Sequence, residues 1–120
     1  MGDIKAKDVY TWITSLPRKP EMVLCIAGTP CGDVAKLHTN RVGVHGKNSS
    51  RLFDLVDLLM DLADLAYEEQ WPVVSIGENV GSQDEKDRKA YTEAYGVDAV
   101  GVHAADWGWI HRSRLLWVRV

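Results

Sequence analysis

Hydrophobic and polar positions follow two different periods along this chain. From Ser50 onward Leu52, Phe53, Leu55, Val56, Leu58, Leu59, Leu62 and Leu65 are apolar, while Asp54, Asp57, Asp61, Asp64 and Glu68 recur at steps of three and four. This is the pattern of an amphipathic helix with one acidic stripe, over Arg51 to about Tyr67, with Ser49 or Ser50 as its cap. Upstream, Met22-Val23-Leu24-Cys25-Ile26-Ala27 is almost uniformly apolar and stops at Gly28-Thr29-Pro30. Such a run predicts a strand buried on both faces. Val73-Val74-Ser75-Ile76 predicts a second strand, ending at Gly77-Glu78-Asn79-Val80. Ser82-Gln83-Asp84-Glu85 reads as a capping box, with Ser82 as cap, ahead of a helix from about Gln83 to Tyr95 that stops at Gly96. Val97 to His103 and Leu115 to Val118 predict two further strands, and the short Trp107-Gly108-Trp109 connection favours their antiparallel pairing. Residues 32 to 50 are polar, hold Gly32, Gly43 and Gly46, and show no steady period. They predict a long loop with room for a helical turn at Asp33 to Leu37, and a loop of that length in a compact domain is usually functional.

The β-α-β-α-β-β order predicts an α/β fold of the Rossmann-like kind: a mostly parallel sheet with one reversed, antiparallel strand at its end. With 120 residues the chain suits a single domain spanning residues 1–120, and neither a repeat nor a linker is visible. A hydrophobic share of 46% and a charged share of 26% exclude disordered and low-complexity classes. Two cysteines do not make a disulfide framework, and no signal peptide or membrane-length apolar run of ~20 residues is present, so an intracellular, non-membrane location, cytoplasm or nucleus, is expected.

Net charge is −3, so no global positive field attracts nucleic acid. The distribution is more telling than the sum. Lys36, Arg41, Lys47 and Arg51 oppose only Asp33 in the loop, Arg112, Arg114 and Arg119 gather near the C-terminus, and the helix expected from Arg51 to about Tyr67 carries the acid. One reading is a solvated acidic face beside an ordinary polar loop. The other is that two basic segments converge at the C-terminal ends of the strands, where open α/β sheets bind ligands.

Cys31 follows Pro30 directly after a strand, where backbone N–H groups at a helix start would lower a thiol pKa. Alone, such a cysteine is more often a small buried hydrophobe, and Cys25, inside the strand, reads that way almost entirely. Glu78 and Asn79 end the second strand, and either a ligand-binding or a loop role suits them. Arg112 and Arg114 stand two apart at the start of a strand, one expected at the strand-end site and the other turned away. His38, His45, His103 and His111 lack paired spacing, so no metal is expected, and neither a P-loop nor a Gly-x-Gly-x-x-Gly loop occurs.

In order, Gly28-Thr29-Pro30-Cys31, Ser50-Arg51-Leu52-Phe53, Glu78-Asn79-Val80 and His111-Arg112-Ser113-Arg114-Leu115-Leu116-Trp117 resemble the DNA (cytosine-5) methyltransferase family, closest in motifs to its animal de novo branch. The resemblance implies an S-adenosylmethionine-dependent methyltransferase fold acting on DNA. It makes Cys31 the nucleophile that adds to carbon 6 of a flipped cytosine, Glu78 the group on ring N3 and the exocyclic amine, and Arg114, with Arg112 beside it, the holder of the base oxygen and catalytic loop. Pro30 and Asn79 become substrate contacts, and Lys36, Arg41 and Lys47 become phosphate contacts on a lid. Gly2-Asp3-Ile4 resembles a family segment near the cofactor adenine, which, with Gly28 and Pro30, makes Asp3 and Ile4 cofactor-binding candidates.

Gly32 stands where the family has Gln or Asn, and Ala35 where a loop serine is common. The family's Phe-x-Gly-x-Gly cofactor loop, its ribose acid and its target-recognition region have no counterpart, so the expectation is the catalytic half of the fold, incomplete or inactive as this chain alone. Its first strand would then lack a neighbour, and self-association or a complementing N-terminal segment is expected at that edge. A non-catalytic subunit or DNA-binding module is the alternative. The central expectation is spatial: Cys31 within roughly a base width, ~10 Å, of Glu78 and Arg114.

Overall fold

The computed structural model describes residues 4–30, 43, 46, 51–108 and 112–120. The elements are α1 (Ala6–Thr14), β1 (Val23–Gly28), α2 (Arg51–Glu68), β2 (Val73–Val80), α3 (Glu85–Tyr95), β3 (Ala99–His103), a 3-10 turn at Ala104–Asp106, and β4 (Ser113–Arg119). The fold is α/β around one four-stranded mixed sheet of order β1-β2-β4-β3. The expectation of a mostly parallel sheet is not met. Only β1 and β2 pair in parallel, while β4 pairs antiparallel with both β2 and β3. The reversed strand is last in sequence but sits inside the sheet. After the short β3–β4 connection it inserts between β2 and β3, so β1, β2 and β3 share one direction while most neighbouring pairs are antiparallel.

The two faces of the sheet differ. Ser75, Gly77 and Asn79 of β2 and Leu115 and Trp117 of β4 are buried on one face. There α2 and α3 bring Leu52, Tyr91 and Tyr95 against Leu115 and Trp117. Trp117 stacks on Tyr91 and Tyr95 at centroid separations of 5.1 and 5.5 Å, and its indole N–H donates to Thr92 Oγ1 at 3.1 Å. Such aromatic pairs add about 0.5–1.5 kcal/mol each beyond area burial. Gly77 is required by this packing, because a Cβ there would enter the Tyr95 ring. On the other face Leu24, Ile26, Val100 and Val118 are exposed, and no described element covers them.

This corrects the reading of β1 as buried on both faces. Among the described residues it is an edge strand, and its burial alternates, with Leu24 50% and Ile26 68% exposed. An apolar run shows strand character but not which neighbours it finds. The α2 reading holds: Leu52, Leu62 and Ala66 are buried while Asp54, Asp57, Asp61, Asp64 and Glu68 are exposed. Gly96 ends α3 in the left-handed region at φ 71° and donates its N–H to the Thr92 carbonyl at 2.9 Å. The start of α3 differs from expectation. Asp84, not the expected Ser82, occupies the N-cap position and makes no side-chain cap bond.

Helix α1 was not foreseen from the sequence. Ala6 and Ile13 are buried and Val9 and Tyr10 half-buried; Ile13, Val9 and Tyr10 pack with Ala66, Trp71, Val23 and Val73. Tyr10 donates to Glu69 Oε1 at 2.7 Å, tying α1 to the end of α2. No described helix is long and apolar enough to cross a membrane. Apart from Gly43 and Gly46, the expected loop of residues 32 to 50, its turn at Asp33 to Leu37 and the α2 caps lie outside the described residues.

Candidate functional site

Parallel register sets Gly28, the last residue of β1, opposite Glu78 near the end of β2. Antiparallel register sets Glu78 opposite Leu116 and Val80 opposite Arg114. Glu78 and Arg114 are therefore diagonal neighbours on one face, the uncovered one. Their side chains meet, with Arg114 Nε at 2.7 Å from Glu78 Oε1 and side-chain exposures of 27% for Arg114 and 36% for Glu78. The other carboxylate oxygen lies over Gly28, where a Cβ would stand 3.0 Å from Glu78 Oε2. Arg114 also donates through Nη1 to the Ser113 carbonyl at 2.9 Å. A partly exposed ion pair is worth about 0–1 kcal/mol, so stability is not its main consequence. It fixes a carboxylate and a guanidinium side by side at the strand ends, each still reachable by solvent.

Asn79 points the other way. It is 1% exposed and sits among the covered side chains. Its amide donates to Thr29 Oγ1 at 2.8 Å, to the Thr29 carbonyl at 3.2 Å and to the Tyr91 hydroxyl at 2.9 Å, and its oxygen accepts the Val80 N–H at 2.7 Å. Thr29 Oγ1 and the Tyr91 hydroxyl are 3.2 Å apart. The expected substrate contact is thus a buried clamp that ties the turn after β1 to β2 and α3. Thr29 and Tyr91 are the members sequence reasoning missed. Residue types gave no signal for Tyr91, but strand alternation separates Glu78 from Asn79: adjacent strand residues face opposite sides.

The two arginines are separated, though not by alternation, since residues two apart on a strand share a face. Arg114 lies within β4 and engages Glu78. Arg112 precedes the strand, is exposed, and takes part through its carbonyl, which accepts the Ala104 N–H at 3.0 Å. Pro30 is exposed at the end of the turn. Cys31, Asp3, Lys36, Arg41 and Lys47 lie outside the described residues. Gly43, at φ 83°, stands against Asp87 of α3, where a Cβ would come 2.9 Å from Asp87 Oδ1.

The described cofactor candidates, Ile4, Gly28 and Pro30, do not gather into a cradle. Ile4, 65% exposed, lines a groove of about 1190 Å³ with Lys5, Lys7, Arg51 and the acidic side of α2, and neither Gly28 nor Pro30 takes part in it. Gly28 is instead spent on the approach of Glu78. By themselves the described residues do not complete an S-adenosylmethionine site.

Two other titratable groups mark the covered face. Burial pushes the Cys25 thiol up, which keeps it protonated. Burial, followed by the neighbouring Tyr91 and Glu78, pushes the Tyr95 phenol far above its usual range, and its hydroxyl has no hydrogen-bond partner among the described residues. No protein-family model matches the chain, and no curated protein matches it.

Proposed function

We propose that the chain carries the base-binding and nucleophilic part of a DNA (cytosine-5) methyltransferase-type site on a Rossmann-like sheet. One observation carries this reading: the Glu78–Arg114 ion pair stands at the strand ends directly beside Gly28, at the head of the Gly28-Thr29-Pro30-Cys31 turn. Three segments distant in sequence, each part of the resemblance, meet there. The Asn79–Thr29–Tyr91 clamp supports it, because a turn that presents a nucleophile needs a fixed base.

The chemistry asked of these groups is limited. A carboxyl at Glu78 accepts from the exocyclic amine of cytosine and, when protonated, donates to ring N3, and Arg114 donates to the base oxygen. Charge moving onto the ring as the Cys31 thiolate adds to carbon 6 is then met by donors already in place. Carbon 5 becomes enamine-like, takes a proton from solvent, and loses the original hydrogen when the thiol leaves. In the family S-adenosylmethionine supplies a methyl group to that carbon. The acidic stripe of α2 lies on the covered side, so a polyanion would approach by the open face and the basic segment.

The test needs no cofactor. Exchange of the carbon-5 hydrogen of cytosine in a single-stranded oligonucleotide is expected with the full chain, reduced at least tenfold by Glu78→Gln and abolished by Cys31→Ser. Exchange that survives Cys31→Ser, or none above the buffer rate, would refute the reading. Oligonucleotide binding unchanged by Cys31→Ser but without any exchange would favour the non-catalytic module.

A further inference from the structure

The outer edge of β1 offers a specific set of unpaired backbone groups. Val23 donates its N–H to the Pro72 carbonyl at 2.8 Å, so Val23, Cys25 and Ala27 turn their backbone groups toward β2. By strand alternation the N–H and C=O groups of Leu24, Ile26 and Gly28 point outward. Among the described residues nothing pairs with them, since β1 ends the sheet. Natural edges are usually guarded by charge, proline or a bulge. Val23–Gly28 contains no charged residue and no proline, and its register with β2 is unbroken.

We propose that a second copy of the chain pairs antiparallel with this edge about a two-fold axis at Ile26, joining two four-stranded sheets into one. The register follows from the geometry. A two-fold axis normal to the sheet keeps like faces together, so residues opposite one another must share a face. Centring on Ile26 sets Ile26 opposite Ile26 and Leu24 opposite Gly28 of the other copy. All three outward-facing residues then fall in hydrogen-bonded pairs, and no outward group within Val23–Gly28 is left over. Centring on Cys25 instead would send Gly28 to Met22, beyond the strand. Because the stretch is uncharged, two copies meet without repulsion. An edge of this length buries little area, so micromolar association is expected. The pairing sets the two Glu78–Arg114 sites about 20 Å apart on one shared face, from strand spacing and rise. It does not depend on the cytosine reading.

Sedimentation velocity of the full chain from about 1 to 200 μM is expected to show a monomer–dimer equilibrium. Ile26→Lys places two ammonium groups opposite each other and is expected to leave a monomer with an unchanged far-ultraviolet spectrum, since Ile26 is 68% exposed. With Cys25 and Cys31 replaced by Ser, Ile26→Cys is expected to form a disulfide-linked dimer on mild oxidation, and Leu24→Cys, which faces Gly28, is not. A monomer throughout, a dimer indifferent to Ile26→Lys, or equal cross-linking through Leu24→Cys would each overturn the proposal.

Discussion

Replacing Asn79 by alanine tests the part of the site that the open face conceals. The Asn79 amide uses two donors and one acceptor, on Thr29, Tyr91 and the Val80 N–H, in a position 1% exposed. Each such bond contributes about 1 kcal/mol net, and truncation leaves buried partners unsatisfied. Three bonds set the loss near 3 kcal/mol. The Tyr91 and Thr29 hydroxyls, already 3.2 Å apart, can tighten and recover part of it, while the vacated volume adds cost. The expected destabilisation is therefore about 2–4 kcal/mol, against a total of roughly 6–18 kcal/mol for a domain of this size. With an unfolding entropy near 2.1 cal/mol/K per residue, a loss of 3 kcal/mol lowers Tm by about 12 °C. Urea and thermal unfolding of Asn79→Ala, Tyr91→Phe and the double variant measure this directly. Tyr91→Phe alone is expected to cost about 1 kcal/mol, and the double variant less than the sum, because both act on one network. Carbon-5 exchange is expected to fall in Asn79→Ala, although its side chain never reaches the open face. A change within 0.5 kcal/mol for Asn79→Ala, or strict additivity of the pair, would refute the clamp.

Tyr95→Phe removes a buried hydroxyl without a partner among the described residues, so stability is expected to hold or rise by up to about 1 kcal/mol by urea titration. A loss beyond that would mean the hydroxyl is engaged. Stability is also expected to fall in alkali. The Cys25 thiol and the Tyr95 phenol are raised by burial, and the Tyr10 phenol first by its bond to Glu69, above ordinary values of 9.0, 10.0 and 10.0. The unfolded chain gives up these protons first, so stability is whole below about pH 9 and declines as pH climbs through the raised values. Urea midpoints that stay flat between about pH 8.5 and 11 would contradict this. Gly28→Ala places a Cβ 3.0 Å from Glu78 Oε2 and is expected to displace the carboxylate, cutting carbon-5 exchange by at least tenfold with little change in Tm. Full activity in that variant would separate Gly28 from the site.

How much was legible depended on whether a feature is local. Helix α2 was plain because leucines and aspartates keep a 3.6-residue period over its length, and the end of α3 because Gly96 accepts a positive φ. Helix α1 was missed although Ala6, Val9, Tyr10 and Ile13 do lie at helical spacing, because β-branched and aromatic residues blur so short a pattern. The place of β4 was out of reach, since its pairing with β2 spans residues 75 to 119 and depends on which edge was vacant. Asn79 is the most instructive case. Residue type and neighbourhood assigned it with Glu78 to one site, whereas strand geometry alone sends the two to opposite faces, one to the ion pair and one to the clamp.

That division of β2 organises the whole candidate site. Residues 75, 77 and 79 serve the covered face, with a small Ser75, a Gly77 that admits the Tyr95 ring and an Asn79 that holds Thr29. Residues 74, 76 and 78 serve the open face, with two apolar residues and Glu78 near the strand end. The clamp and the ion pair are thus a single residue apart, and any shift in β2 register would lose both together. It would bring Glu78 under the helices, against Tyr91, and expose Asn79. A strand that must satisfy both faces at once tolerates no slip, which is how a sheet covered on one side can still hold a carboxylate, a guanidinium and the turn before Cys31 in fixed relation.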